Sequence, residues 1–462
     1  MKTIRIVLLI LTLLLALLGH NSQANASDSD TYVIRHINVV DVAARRVVSN
    51  QRVWVQGSQI TRIEAENAAI EPAVKQIEGN NGYLTPGLMD MHMHAWDPAA
   101  FAINLSYGVT HVRIMNGVPE HLRWQQQLAS QQRWGSTVTV SSPILSGYQG
   151  ASLHTYVGTK EQAQEAVASA ARHGFDVIKT YGSLSAEAFS WIREFAAQAN
   201  IPVTKHGPHP AGDNPAVDNN ADWSVLRGLQ SLEHVEDIFQ GPLGFNQSPE
   251  KLANTASKLA ELRVPVTPTL NIYRQLTQIS TEKDDFIARL PADYISPLVA
   301  WFDGRDQVQR WLDAPAKLAE HNQRTLNYLM TITGELFKAG VPILAGSDAG
   351  VLLSPHGLAL HEELALLHAS GLPVYEVLRA ATINPARALA MENQSGQIQA
   401  GFTADMVYTL TNPITDLSAL SRPDAVIKRG QWFDQPTLEQ KRQQAIDNRS
   451  LFDEAILLIS NM

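Results

Sequence analysis

The chain has 462 residues, a formal net charge of −9, 45% apolar residues and 18% charged ones. That length suits one large domain and a smaller one, and the composition excludes a disordered chain. The negative balance, with no basic cluster against it, excludes general binding to nucleic acid or to an anionic membrane surface. No cysteine is present, which excludes disulfides, Cys-ligated metals and thioether lipid anchors.

Residues 1–26 read as a signal peptide. Lys2 and Arg5 precede an apolar run from Ile6 to Leu18, and Ala24-Asn25-Ala26 fits the small-x-small cleavage pattern. The run is shorter than the ~20 residues that a bilayer span needs. Cleavage after Ala26 is expected, giving an exported protein without a membrane anchor. In a Gram-negative source it would be periplasmic, otherwise secreted. An uncleaved anchor is the alternative.

Next comes "TYVIRHINVVDVAARRVVSNQRVWVQGSQITRIEA", rich in Val and Ile, which reads as short strands with turns such as Gln56-Gly57-Ser58. "GFTADMVYTL" and "DAVIKRGQWFD" match it near the other end. Residues 31–84 and 396–435 are therefore expected to build one composite β-sandwich, with a helical tail over 436–462.

From 85 to 395 strand-like runs alternate with amphipathic helical segments. Eight runs stand out: Leu88–His94, Val109–Gly117, Val138–Gly147, Asp176–Gly182, Pro202–Gly207, Ser231–Asp237, Pro265–Asn271 and Pro342–Asp348. Eight β-α units at this length fit a TIM (β/α)8 barrel better than an open sheet. The seventh unit is overlong. Its insertion, 272–323, suits either a cover for the active site or a surface and subunit contact.

Residues able to bind a metal end several of these runs. His92 and His94 are two apart on a strand and so share a face with Asp90. An isolated HxH is more often a surface or core pair, but this one closes an apolar strand. Lys179 sits inside the fourth run, where a charge is costly unless neutralised or paired; a lysine snorkelling to the barrel mouth is the plainer reading. His206 and His234 end the fifth and sixth runs, and each alone could be a hydrogen-bonded buried histidine. His209 is a rival for the fifth position. Glu233 should face the helices by alternation, as should Lys205. Asp348 ends the eighth run, where a buried carboxylate needs a partner. These residue types suit a borderline divalent cation such as zinc.

"LTPGLMDMHMH", "YGVTHVRIMNG", "IKTYGSLSAEAF", "SLEHVED", "ILAGSDAG", "LHEELALLHASGLPVYEVLRAATINPARALAM" and "SGQIQAGFTADMVYTLTNPITDL" resemble motifs of the amidohydrolase superfamily. The resemblance covers nearly the whole mature chain and is nearest to the branch with imidazolonepropionase-like proteins and Xaa-Pro or acyl-amino-acid dipeptidases. It implies two divalent ions, expected to be zinc, bridged by a carboxylated Lys179. His92, His94 and Asp348 would hold the first ion, and His206 and His234 the second. The fifth run departs from the pattern: "TKHGPHP" replaces the small residues that relatives often have around the histidine.

The activity implied is metal-dependent hydrolysis of a C–N bond, amide or peptide, in a dipeptide or N-acyl amino acid. A metal-activated water would be the nucleophile. Asp348 would be the catalytic base, passing a proton to the leaving nitrogen. Tyr148, Tyr181 and Arg113 lie near strand ends as candidates for substrate binding, although Arg113 also suits a structural ion pair. An ester, lactone or phosphoester hydrolase on the same site and a non-catalytic scaffold are the alternatives. The expected partner is a small-molecule substrate, and a homo-oligomer stays open.

Overall fold

The computed structural model describes residues 31–67, 74–151, 153–182, 184–207, 223–303, 307–450, 452 and 454–455. The expected signal peptide and His209 lie outside these residues. Among the described residues no helix is long and apolar enough to cross a membrane.

The Val/Ile-rich N-terminal stretch forms β1 (Thr31–Asp41), β2 (Arg46–Gln56) and β3 (Gln59–Ala65), paired antiparallel in sequence order. Gly57 makes the turn between β2 and β3 at φ +54, a conformation that suits glycine. Two short strands, β4 (Lys75–Glu78) and β5 (Tyr83–Pro86), then pair parallel with successive parts of β1. The partner changes where β1 bulges: His36 takes φ 44, and the β1–β2 register shifts between Ile34 and Ile37.

The parallel body follows. It contains β6 (Leu88–Met93), β7 (Val109–Ile114), β8 (Thr137–Val140), β9 (Ile144–Ser146), β10 (His154–Tyr156), β11 (Ile178–Thr180), β12 (Val203–His206), β13 (Ser231–Glu233) and β14 (Val266–Thr267). β6, β7 and β8 form one parallel sheet, and β10, β9, β11, β12, β13 and β14 another. Single parallel bridges link Ser141 to Val177, Val266 to Ile343 and Met93 to Ala349, so the backbone contacts run in a circuit from β6 round to β6 again. The eighth expected strand is an extended segment rather than a regular strand. Its residues still bond to both neighbours: the Leu344 N–H donates to Val266 O at 2.9 Å and the Asp348 N–H to His92 O at 2.7 Å. Gly346 allows this approach, because a Cβ there would lie 2.4 Å from Thr267 Cγ2 and 2.9 Å from His92 Cβ.

Helices return the chain between strands where the amphipathic segments fall. The helix Lys160–His173 starts at a Thr159 cap and stops at Gly174 (φ 84); Ser185 and Ser248 cap the helices Ala186–Gln198 and Pro249–Leu262. One large apolar core lies between these helices and the parallel strands.

The chain end supplies β15 (Met406–Thr409), β16 (Ala425–Lys428) and β17 (Gln431–Asp434), joined antiparallel, with β15 bonded to β5. The β5–β15 pairing joins strands from the two ends of the chain. Hydrogen bonding links all eight strands into one sheet that forks at β1. Ile34, Val53 and Leu84 from one end share a core with Met406 and Ile427 from the other. The helix Gln435–Asp447 forms the tail.

The insertion is helical. Ile279, Phe286 and Val308 pack with Leu352 and Leu353, just after Asp348, while Tyr294 packs with Ala99 and Ile103, just after His94. It therefore rests on the two chain segments that leave the candidate ligands.

Candidate metal centre

His92 lies on β6, and His94 follows that strand's end. Both rings turn to one side, as alternation requires. His94 Nε2 lies 3.1 Å and His92 Nε2 3.6 Å from Asp348 Oδ1. One ligand atom from each of His92, His94 and Asp348 falls within 4.8 Å of the others, a group able to hold a metal ion. Asp348 reaches it from a left-handed backbone position, φ 52, that Asp tolerates better than most residues.

The other histidines continue the row. The His234 ring centroid lies 4.6 Å from that of His92 and 4.3 Å from that of His206. His234 Nδ1 is 2.6 Å from Thr269 Oγ1, and His206 Nδ1 is 2.5 Å from Asp237 Oδ2. Lys179 on β11 is buried, and its Nζ has no hydrogen-bond partner among the described residues. The structure thus brings His92, His94 and Asp348 into one group, with the His234 and His206 rings following in a row and Lys179 buried on β11.

Burial shapes the charges here. Desolvation, then the positive charge of Lys179 and neighbouring rings, holds His206 well below the ordinary histidine range; desolvation, then His206 and His92, does the same to His234. Neutral imidazole is the form that ligates metals. Burial alone would raise Asp348, but His92, His94 and His234 bring it below the usual carboxylate range. Desolvation pushes the Lys179 amine down to about 8, even with Glu233 and Asp348 pulling the other way.

Two expectations fail. Glu233 faces inward, not toward the helices. Ser231 and Glu233 share the inner face of β13, and His234 breaks the alternation by taking φ 66, so its ring enters the same space. Glu233 Oε2 lies 2.8 Å from His92 Nδ1, and its Oε1 accepts from Arg113, Thr204 and Ser231. Arg113, in turn, is no substrate residue. Its guanidinium is fully buried and donates to Met91 O, Gln230 Oε1, Ser231 Oγ and Glu233 Oε1 at 2.7–2.9 Å. It takes the structural ion-pair alternative.

Lys205 faces outward as expected, with Nζ 5.4 Å from the centre of the Phe189 ring on the helix Ala186–Gln198. The Tyr181 ring lies 3.9 Å from His206, and Tyr148 lies 6.3 Å from Tyr181. Sequence reasoning missed His154, which joins these two rings at 5.2 Å and 6.0 Å. It also missed Asp237, although "SLEHVED" contains it. Asp90 sits beneath the site, where its Oδ1 accepts from the His92 and Ser347 N–H groups and ties β6 to the Asp348 segment.

The sequence profile of the Amidohydrolase family matches residues 83–433. An imidazolonepropionase of Thermoplasma acidophilum is 23% identical over 409 residues, covering 83% of this chain and 89% of that protein. Among solved structures, a bottromycin amidohydrolase superposes with a TM-score of 0.73 at 22% identity, over 93% of this chain and 94% of that one. A Xaa-Pro dipeptidase crystallised with methionine in its active site gives 0.66 at 18% identity, over 87% of this chain and all of its own (100%). Such fold neighbours imply a TIM-like barrel with an extra domain, in keeping with the circuit of parallel segments and the composite sheet.

Proposed function

The chain belongs to the amidohydrolase family and is a hydrolase acting on carbon–nitrogen bonds; from that premise we propose that it cleaves an amide or peptide bond in a dipeptide or N-acyl amino acid. The parallel circuit is read as a TIM (β/α)8 barrel, with the site at the C-terminal ends of its strands. Two divalent ions, of which zinc suits the donors best, would be held there. His92, His94 and Asp348 would take the first, His206 and His234 the second, with a carboxylated Lys179 between them.

One observation carries this reading: the buried Lys179 amine has no hydrogen-bond partner among the described residues and lies near enough to His92, His206 and Asp348 for their charges to act on one another. Carboxylation would turn that amine into an anionic oxygen donor, which relieves its burial and supplies the missing ligand. The donor set therefore fits the metals. When bound, they would supply an activated nucleophile and an electrophile for the scissile carbonyl.

The chain's own groups do the rest. Asp348 stays ionised near neutrality, so its carboxylate can accept a proton from the attacking water and hand it to the leaving nitrogen. Tyr181, Tyr148 and His154 line the side next to His206 and offer polar edges to orient the substrate. The insertion packs on the segments after His94 and Asp348 and would limit water entry.

Elemental analysis with a kinetic screen tests the reading. Purified protein should carry up to two divalent ions and hydrolyse members of a dipeptide and N-acyl amino acid panel. Chelation should abolish that activity, and recovery should need both metal and bicarbonate. Activity that survives exhaustive chelation would sink the proposal. Cleavage only of esters, lactones or phosphotriesters would move the substrate class.

From the sequence of residues 1–26 we also propose that the mature protein begins at Ser27 and lies outside the cytoplasm without a membrane anchor. N-terminal sequencing from the native host should return that end; an intact N-terminus in the membrane fraction would favour the anchor.

A further inference from the structure

The segment Ser231–Asp237 carries one candidate ligand, His234, between two carboxylates that reach in different directions. Glu233 Oε2 lies 2.8 Å from His92 Nδ1. Asp237 Oδ2 lies 2.5 Å from His206 Nδ1. His92 and His206 belong to different halves of the row. The Glu233–His92 contact is a hydrogen bond and the Asp237–His206 contact an ion-pair approach; with a carboxylate beside Nδ1, Nε2 of each ring is left for the site, and His92 Nε2 is the nitrogen nearer Asp348.

We propose that Glu233 and Asp237 are positioning residues that each orient the histidine of a different metal ion, Glu233 setting His92 at the first and Asp237 setting His206 at the second. The proposal rests on the two-ion reading above. A ligating histidine whose other ring nitrogen is fixed by a carboxylate keeps one tautomer and one ring orientation, and loss of such a partner typically weakens metal binding about 10–100-fold.

The two carboxylates are built differently. Glu233 is fully buried and immobilised by Arg113 Nη2 at 2.8 Å and Thr204 Oγ1 at 2.6 Å, so the His92 ring is held by a fixed anion. Asp237 lies in the first turn of the short helix Val235–Gln240. Its room is made by Gly207, the neighbour of His206: Gly207 has φ +69, and a Cβ there would fall 2.9 Å from both Cβ and Oδ2 of Asp237. The glycine after the strand-five histidine and the acid after the strand-six histidine thus belong to one arrangement. Thr269 plays the neutral counterpart at His234.

Metal affinity in single-ion backgrounds tests the division. His206→Ala should retain the first ion and His94→Ala the second, read by elemental analysis and by competition with a chromophoric zinc chelator. In the His206→Ala background, Glu233→Gln should weaken the remaining ion about 10–100-fold while Asp237→Asn leaves it unchanged. In the His94→Ala background the pattern should reverse, and Asp237→Glu should recover part of the loss. Equal effects in both backgrounds, or none, overturn the proposal while the two-ion reading stands. A wild-type chain holding fewer than two ions overturns both.

Glu233→Gln leaves Arg113 buried without its anion, which could prevent folding. The double variant Glu233→Gln with Arg113→Met removes both charges and keeps the volume. It should fold and show the same selective loss at the first ion. A double variant that folds with first-ion affinity intact, or that fails to fold, assigns Glu233 to the core instead and overturns its half of the proposal.

Discussion

Lys179 and Lys205 stand on adjacent parallel strands, one register step apart, and meet opposite surroundings. Lys179 pairs in register with Thr204, and Lys205 with Thr180. Both amines are buried and pushed down to about 8 by desolvation. Lys205 points to the helix side, where Phe189 gives its charge an aromatic face and His206 O accepts at 3.3 Å. Lys179 points inward and finds no hydrogen-bond partner among the described residues. Sequence alternation separates the two faces. Only the inner one leaves a buried amine without a hydrogen-bond partner among the described residues, and the proposed carboxylation would complete it.

The largest expected effect breaks or keeps this contrast directly. Lys179→Met should lower kcat/KM by at least about 10²-fold and reduce metal content, whereas Lys205→Met should leave both near wild type. Asp348→Asn, which keeps shape but cannot take up the proton, should lower kcat about 10²–10⁴-fold while keeping most of the metal. Steady-state kinetics with metal analysis of the same samples decides. Normal turnover in Lys179→Met would make it a snorkelling lysine; normal turnover in fully loaded Asp348→Asn would remove Asp348 as the base.

The next effect sharpens what the inner face tolerates. Arg113 is also an inward cation, but its guanidinium is fully paired. Arg113→Met should destabilise the fold by about 3–5 kcal/mol, because it strands the Glu233 carboxylate in the core. Urea unfolding measures this. A stable Arg113→Met with a raised KM alone would restore Arg113 as a substrate residue.

A smaller effect separates the outer lysine by pH. With a folded pKa of about 8 against an ordinary 10.5, Lys205 binds fewer protons folded than unfolded between those values. Its contribution to stability therefore rises with pH across that window and is least favourable below it. Lys205→Met should flatten that rise and stabilise the protein at pH 7 by about 1–3 kcal/mol, less whatever the Phe189 contact returned. Thermal melts from pH 7 to 10 on both proteins test it; an unchanged slope would mean that water reaches the amine.

Much of this was legible in the sequence because strand periodicity is short-range. The shared face of His92 and His94, the outward turn of Lys205 and the strand-end positions of His206 and Asp348 all follow from alternation and apolar runs. What failed needed backbone exceptions or depth. His234 leaves alternation at φ 66, so the inference that put Glu233 outside used a rule that stops one residue too early. Arg113 shares the inner face but lies low in it, and no local pattern distinguishes a mouth residue from one beneath it. The fork in β1 depends on a bulge at His36, and Asp237 and His154 gain their roles from rings distant in sequence.

The smallest expected effect concerns the wall beside the row of histidines. The Tyr181 ring lies 3.9 Å from His206, tilted by 46°, and meets His154 edge-on at 5.2 Å, so it packs beside the row while its hydroxyl is proposed to address a substrate. Burial raises its pKa above the ordinary value, which keeps the hydroxyl protonated and a donor at any working pH. Tyr181→Phe retains the ring and removes one hydrogen bond, a change of about 1 kcal/mol. KM should rise roughly fivefold with kcat little altered, and metal content and melting temperature should stay at wild-type values. A fall in kcat at constant KM would instead place the hydroxyl on the reacting carbonyl oxygen, where it would help most in the transition state. No change in either constant would leave Tyr181 as packing for His206, and the substrate-orienting role would pass to His154 and Tyr148.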